Sequence, residues 1–171
     1  MNLKILFSRI TFILLISFFL GNNVNAQENK PTEEKTKHAI GAGAGFTTGY
    51  GLSYRYTPTK LGVQVNFAPY KSGADYAYSF GLTALYMLMK SEKTNLYLYQ
   101  ANHYLSSSFI AYDNTGLSYR KNEAYFNNGI GFGVEFIIAS KVGFNLMTGY
   151  ATYDNLNKLN VTGEAALYFK F

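Results

Sequence analysis

From His38 onward, large apolar side chains alternate with small or polar ones. In residues 61–68, for example, Leu61, Val63, Val65 and Phe67 alternate with Gly62, Gln64, Asn66 and Ala68. A period of two places successive side chains on opposite faces of an extended chain, so it predicts half-buried β-strands rather than helices. Eight such segments are bounded by turn residues: 38–46, 50–57, 61–70, 77–88, 95–111, 123–138, 141–152 and 158–171.

The two faces of these strands differ in a way that indicates which solvent each one meets. One face carries large aromatic and aliphatic side chains, and the other carries glycine, alanine, serine and a few charges. In a soluble sandwich or lipocalin-like barrel the large apolar residues would fill the interior. Small residues fill a soluble core poorly, but they suit the narrow lumen of a barrel whose outer face meets lipid. The large apolar side chains are therefore predicted to face outward.

A sheet that spans a membrane has to close, because an open edge leaves backbone groups unpaired in hydrocarbon. Eight strands are an even number and the smallest closed set of this kind. The predicted fold class is therefore all-β, an eight-stranded antiparallel transmembrane up-and-down β-barrel over residues 38–171. With an even strand count both ends of the barrel chain lie on the periplasmic side, where turns are expected to be short. Loops that are longer on average and polar are predicted at the other side, around 71–76, 112–122 and 154–158, with the short first loop at 47–49 as an exception.

The fifth segment gives contradictory signals about which face is outward. Leu96 and Leu98 place the even-numbered positions on the apolar face, whereas Gln100, Asn102 and Ser106 place the same positions on the polar face. Asn128 in the sixth segment is likewise out of pattern. The orientation of the fifth strand is left open by the sequence.

The segment before the alternation has the layout of an export signal. Lys4 and Arg9 precede an apolar run at 10–20, and Val24-Asn25-Ala26 resembles a cleavage site. The run is shorter than the ~20 residues of a membrane-spanning helix. We expect residues 1–26 to be a cleaved signal peptide. Residues 27–37 are polar and highly charged, which predicts a solvated periplasmic tail.

Composition excludes several functional classes. The net charge of +5 is spread thinly along the chain, unlike the clustered cations of a nucleic-acid-binding face. There is no cysteine and there are only two histidines, His38 and His103, so no metal-ligand cluster is visible.

The glycine runs at 41–45 and 129–133 lack the spacing of a phosphate-binding loop. Their glycines alternate along strands, which predicts space for neighbouring lumen side chains or tight barrel curvature. No cofactor is predicted.

Charged and polar residues on the inner face suggest a lumen polar network. Arg55 lies near the periplasmic end of the second strand and Glu135 near the same end of the sixth, and these strands are opposite in a ring of eight. The two side chains could meet across the lumen, with Gln64 and Glu164 nearby. Alternatively, each charge is solvated by lumen water.

His103 is the one residue that suggests catalysis. In "NHYLSSS" the residue two positions after His103 is Leu105, Ser106 projects to the opposite face, and Ser107 lies ~13 Å along the strand. No serine is within hydrogen-bonding reach of His103 on its own strand. An interfacial or lumen histidine is therefore favoured over a catalytic one, and no catalytic residue is predicted.

The export signal, the eight alternating segments, the aromatic-rich outer faces and Phe171 together resemble the small outer-membrane β-barrels of Gram-negative bacteria, the OmpA/OmpX-like or porin-like barrel group. The resemblance implies location in the bacterial outer membrane, surrounded by lipid. It also implies recognition by the barrel-assembly machinery, through the alternating pattern of Leu167, Phe169 and Phe171.

The function that fits is a non-enzymatic integral outer-membrane protein with a role in envelope structure or surface binding, its extracellular partner unknown. An open general pore is disfavoured, because side chains normally fill a barrel this small. Two alternatives remain: a lipid-modifying barrel enzyme similar to lipid A deacylases, and a secreted soluble β-barrel that binds an apolar ligand.

Overall fold

A computed structural model describes residues 37–171 of the protein. The predicted signal peptide (1–26) and all but the last residue of the predicted tail (27–37) lie outside these residues. Eight β-strands follow in chain order: β1 His38–Gly45, β2 Gly49–Tyr56, β3 Leu61–Ser72, β4 Asp75–Lys90, β5 Thr94–Tyr112, β6 Ser118–Ala139, β7 Val142–Tyr153 and β8 Lys158–Lys170. Each predicted segment coincides with one of these strands.

The strands form a closed ring in sequence order, because every strand pairs antiparallel with its neighbours and β8 pairs with β1. His38 and Phe171 complete this seam by two backbone hydrogen bonds, in which each residue's N–H donates to the other's carbonyl oxygen. Closure gives each of the eight strands a pairing partner on both sides, as a barrel in hydrocarbon requires. The predicted fold class is confirmed.

Two of the predicted longer loops, 71–76 and 112–122, are mostly strand instead, whereas the third, 154–158, is a turn up to residue 157. Only residues 73–74 separate β3 from β4, and only 113–117 separate β5 from β6. Residues 118–122 of β6 are polar but pair with 108–112 of β5, so the hairpin extends beyond the rest of the barrel. Polar composition was therefore a poor guide to loop length, since a hairpin in water can stay paired without an apolar face.

The outer surface of the barrel is apolar, as the alternation predicted. Large hydrophobic side chains are exposed on all eight strands, among them Ile40, Leu52, Phe67, Leu82, Leu98, Phe132, Leu146 and Leu167. The buried side chains face the lumen and are mainly polar or small. On β5 Tyr97, Tyr99, Ala101 and His103 are buried, so Leu96, Leu98, Gln100 and Asn102 all face outward. No helix in residues 37–171 is long and apolar enough to cross a membrane.

We call the barrel end that carries the turns 57–60, 91–93 and 140–141 the inner end. The other end, which carries the turns 46–48, 73–74, 113–117 and 154–157, is the outer end.

Candidate functional site: the lumen and its outer mouth

Near the inner end, the lumen holds a cluster of three charges: Arg55, Glu135 and Lys170, which we call the lumen charge cluster. Arg55 Nη1 lies 3.6 Å from Glu135 Oε1, and Lys170 Nζ lies 2.9 Å from Glu135 Oε2. Arg55 and Glu135 are buried on opposite strands of the ring. The structure thus brings together the two residues that the sequence placed at the same end of opposite strands. Lys170 was not predicted as a member.

Neutral groups complete the surroundings of this cluster. The Asn95 amide donates to Glu135 Oε2 at 2.7 Å, and Arg55 Nη2 donates to Gln64 Oε1 at 2.7 Å. The Arg55 guanidinium also lies over the Tyr168 ring, 4.3 Å from its centroid. A buried charge is tolerated only when it is paired and hydrogen-bonded. These contacts give each of the three charges an ionic partner and at least one hydrogen bond, although Arg55 Nη1 itself has only its 3.6 Å approach to Glu135. The same side chains fill the lumen.

Glu164 does not join this cluster, contrary to the expectation that it would lie near Arg55 and Glu135. It pairs in register with Gly45, at the outer end of β1. There its carboxylate accepts hydrogen bonds from the Thr47 hydroxyl and, at 3.1 Å, from the Thr48 backbone N–H. The stagger between strands places Glu164 near the outer end of the barrel, whereas Arg55 and Glu135 lie near the inner end.

The β1–β2 turn at 46–48 folds into the lumen, and we call it the plug turn. Thr47 and Thr48 are 0% and 2% exposed. Gly49 and Gly51 follow with φ of 82° and 103°, a conformation that glycine adopts without steric cost. This backbone redirects the turn from the rim into the lumen, where Glu164 holds it.

The alternating glycines make room for these inward groups. A Cβ at Gly81 would collide with the Thr48 carbonyl, one at Gly129 with the Thr47 side chain, and one at Gly133 with the Tyr97 ring. Of the two predicted roles, space for lumen neighbours fits Gly129 and Gly133, whereas a Cβ at Gly41 or Gly131 would collide with the backbone of the adjacent strand. The role as space for lumen neighbours extends to Gly81, which the sequence did not single out.

His103 is a buried lumen residue beside the plug turn. Its Nδ1 lies 3.0 Å from the Phe46 carbonyl oxygen and its Nε2 lies 2.9 Å from Ser79 Oγ. Because a carbonyl only accepts, Nδ1 carries the proton, and the Ser79 hydroxyl donates to Nε2. Ser79 is on β4, so no spacing along β5 could reveal this serine–histidine pair. Only the register of β4 against β5 brings them together.

Above the plug turn, the outer mouth contains a cavity of about 520 Å³, which we call the vestibule. Its lining combines aromatic rings with a few polar groups: Phe46, Tyr50, His103, Leu105, Tyr125, Asn127, Tyr153, Asp154 and Lys158. Asp154 and Lys158 form an ion pair with each other at 3.4 Å. The vestibule therefore offers aromatic surface and hydrogen-bonding groups with little net charge.

The residues predicted as an assembly signal lie on the outer surface of β8 and just after it. Leu167, Phe169 and Phe171 are all exposed, on the face that meets lipid. The Phe171 ring stacks on His38 across the seam, with centroids 5.8 Å apart. Within residues 37–171, no three acidic or histidine side chains are close enough together to hold a metal ion.

Neither a protein-family profile nor a curated protein sequence matches the chain. Its fold resembles the N-terminal β-barrel domain of Pseudomonas aeruginosa OprF, with a TM-score of 0.53 and 15% identity over 78% of this chain and 95% of that one. A major outer membrane protein from Thermus thermophilus has a TM-score of 0.49 and 15% identity, over 80% and 100% of the two chains. Neisserial surface protein A has a TM-score of 0.47 and 18% identity, over 78% and 94%.

The likeness to OprF shows the fold: this chain has the architecture of a small outer-membrane β-barrel. The predicted resemblance to that group is therefore confirmed at the level of fold. The location that suits a closed barrel with an apolar outer face is the bacterial outer membrane.

Proposed function

We propose that this protein is a non-enzymatic integral outer-membrane barrel that binds neutral, partly apolar small molecules at its extracellular mouth. The vestibule is the observation that carries the proposal. Its volume of about 520 Å³ is within the usual range of small-molecule sites. Aromatic walls with a few polar groups suit a ligand that has both an apolar face and hydroxyl groups.

The closed lumen supports binding rather than conduction. The plug turn and the lumen charge cluster occupy the barrel below the vestibule. A ligand that enters from outside would stop at Phe46 and His103, which line the vestibule. The apolar exterior also argues against the alternative of a secreted soluble barrel, since no soluble monomer of this size normally exposes so large an apolar belt.

The membrane location can be tested by fractionation. The protein should resist carbonate extraction, co-fractionate with outer membrane, and migrate differently on a gel before and after boiling. Recovery as a soluble periplasmic monomer would refute the membrane location and, with it, the proposed function.

Binding can be tested with phenyl β-glucoside, a neutral probe that joins an aromatic ring to a sugar. Saturation-transfer NMR on protein in phospholipid nanodiscs should show transfer to both halves of the probe. Tyr125→Ala should reduce the saturation transfer to the probe several-fold. Tyr119 is an exposed tyrosine of β6 outside the vestibule, so Tyr119→Ala should leave the transfer unchanged. Absence of transfer, or equal loss in both variants, would contradict binding in the vestibule.

The serine–histidine pair suggests the alternative of a lipid-modifying enzyme, but its setting argues against catalysis. Ser79 is 1% exposed, and its Oγ also accepts the Tyr50 N–H at 3.2 Å. The third member is a backbone carbonyl rather than a carboxylate that could stabilise an imidazolium. A fluorophosphonate probe should therefore leave the native barrel unlabelled. Labelling that Ser79→Ala abolishes would establish the enzyme instead.

A further inference from the structure

The lipid-facing surface of β5 and β6 carries three neighbouring amide side chains: Gln100, Asn102 and Asn128, which we call the amide patch. Gln100 and Asn102 face outward because Tyr99, Ala101 and His103 between and beside them are buried in the lumen. Asn128 pairs in register with Asn102. All three side chains are half-buried rather than fully exposed. They are three of the four residues, with Ser106, whose polarity contradicted the alternation of the sequence.

The amide patch lies inside the apolar belt rather than at its rim. Tyr104 and Phe126, opposite each other on β5 and β6, flank it toward the outer end. Aromatic rings of this kind mark the level of the membrane interface, so the patch is on the hydrocarbon side of them. Its other outward neighbours carry no charge: Leu82 and Ala84 on β4, Leu98 on β5, Ile130 on β6, and Thr152 on β7. All but Thr152 are apolar, and the Thr152 hydroxyl donates to the Asn128 backbone carbonyl oxygen at 3.4 Å.

Hydrogen bonds within the patch satisfy only part of its capacity. The Asn128 amide donates to Asn102 Oδ1 at 2.8 Å, and the Asn102 amide donates to Gln100 Oε1 at 3.3 Å. The Gln100 amide in turn donates to the backbone carbonyl oxygen of Ala101 at 3.4 Å. Among residues 37–171, the second N–H of each amide and the Asn128 side-chain oxygen have no hydrogen-bond partner, so these groups are available to a partner outside the barrel. Lipid tails offer no partner to these groups, and each unmet group is costly in hydrocarbon.

We infer that the amide patch is a lateral interface at which a second copy of this chain binds within the membrane. An amide both donates and accepts, so a patch of three amides is complementary to its own copy about a two-fold axis. A charged lipid headgroup or an acidic partner would instead call for lysine or arginine, and the neighbours named above carry no charge. Polar side chains that bond across the interface are a known means of association in membranes.

The inference rests on the proposed membrane location, because in water the same amides would simply be solvated. The chain contains no cysteine, so single-cysteine variants give an unambiguous cross-link. Ile130→Cys places a thiol beside Gln100, and Ile40→Cys places one on β1, on the opposite side of the ring. The two isoleucines are similarly exposed, at 59% and 51%, which makes them a matched pair.

The experiment oxidises each variant in phospholipid vesicles at a low protein-to-lipid ratio, after carbonate extraction and gel mobility have shown insertion. Ile130→Cys should form a disulfide-linked dimer and Ile40→Cys should remain monomeric. Adding Gln100→Leu, Asn102→Leu and Asn128→Leu should reduce the Ile130→Cys dimer about ten-fold, since two symmetric hydrogen bonds each contribute about a factor of three. Leucine suits lipid, so this variant should still insert.

Four results would overturn the inference. An inserted Ile130→Cys barrel that stays as monomeric as Ile40→Cys would refute the dimer and leave the proposed function intact. Equal cross-linking after the three leucine substitutions would show that the amides are not responsible. Cross-linking in cells to a different protein would identify another occupant. Failure of the native barrel to insert would refute the proposed function together with the inference.

Discussion

Arg55 and Glu135 lie on opposite strands of the barrel and meet across the lumen, where Arg55 Nη1 is 3.6 Å from Glu135 Oε1. Lys170 approaches the other Glu135 oxygen at 2.9 Å, so one carboxylate serves two cations. This asymmetry determines how substitutions in the cluster should behave.

Loss of the carboxylate should be more damaging than loss of either cation. Removing one partner of a buried ion pair costs roughly 3–5 kcal/mol. Glu135→Gln leaves both Arg55 and Lys170 without their counter-charge and should fall in that range. Arg55→Met leaves Glu135 neutralised by Lys170 and should cost less. Urea unfolding of the refolded barrel in lipid vesicles measures both free energies.

The double variant provides the control for a direct interaction. Arg55→Met together with Glu135→Gln should show a coupling above ~0.5 kcal/mol, the level beyond which two sites are not independent. Additive effects would mean that each charge is solvated separately, as lumen water would allow.

Gly81 should tolerate no side chain, because a Cβ there would collide with the carbonyl oxygen of Thr48 in the plug turn. Gly81→Ala should therefore destabilise the barrel by ~1–3 kcal/mol, the usual cost of overpacking. Hydrogen exchange of the Thr48 amide, which donates to Glu164, should also become faster. The matched control is Gly163→Ala, since a Cβ at Gly163 meets no atom within 4 Å. Equal stability of the two variants would show that the plug turn does not need this space.

The outer β5–β6 turn should stay ordered to unusually low pH. Hydrogen bonds from the Thr115 hydroxyl and from the Leu117 and Thr115 backbone N–H groups hold the pKa of Asp113 below its ordinary value of 3.8. A lowered pKa means that the ionised form stabilises the turn. That stabilisation is complete above the ordinary value and is lost only as pH falls through the lower, folded-state pKa.

NMR titration of the Thr115 and Leu117 amides tests this prediction. Their chemical shifts should change with a midpoint below pH 3.8 in the native protein. In Asp113→Asn, which cannot ionise, the same transition should be absent. A midpoint at or above 3.8 would mean that the hydrogen bonds do not favour the ionised carboxylate.

Phe171 and Phe169 allow the predicted assembly signal to be separated from ordinary lipid contact. The two rings face the same surface and are 53% and 48% exposed. Full burial of a phenylalanine contributes only ~1.5–3 kcal/mol, and these partly exposed rings contribute less. If Phe171 is read by the assembly machinery, Phe171→Ser should leave most of the chain in the periplasm. Phe169→Ser should assemble far better, and Phe171→Tyr should assemble normally.

Outer-membrane fractionation and protease sensitivity report the outcome. Equal recovery of the Phe169→Ser and Phe171→Ser barrels in the outer membrane would mean that Phe171 has no special role in recognition.

The sequence by itself determined the number of strands, their approximate bounds and which face meets lipid. Alternation is a local property, because neighbouring side chains of any strand point in opposite directions. The fold class could therefore be predicted without knowing which strands pair. It follows from the alternation of large outward residues, such as Leu52 and Phe132, with small inward ones, such as Gly131. The fifth strand was ambiguous because Gln100, Asn102 and Ser106 are polar residues at the even-numbered positions, which face outward.

Only the tertiary structure decided which inward residues meet. It placed Lys170 beside Glu135, separated Glu164 from Arg55, and set Ser79 against His103. It also turned Thr47 and Thr48 into the lumen, where the sequence showed only a short loop. These contacts depend on the stagger between paired strands, which fixes the height of every side chain in the barrel. Stagger is set by the register of each strand against the next and by the closure of β8 on β1, so no pattern within one strand can encode it.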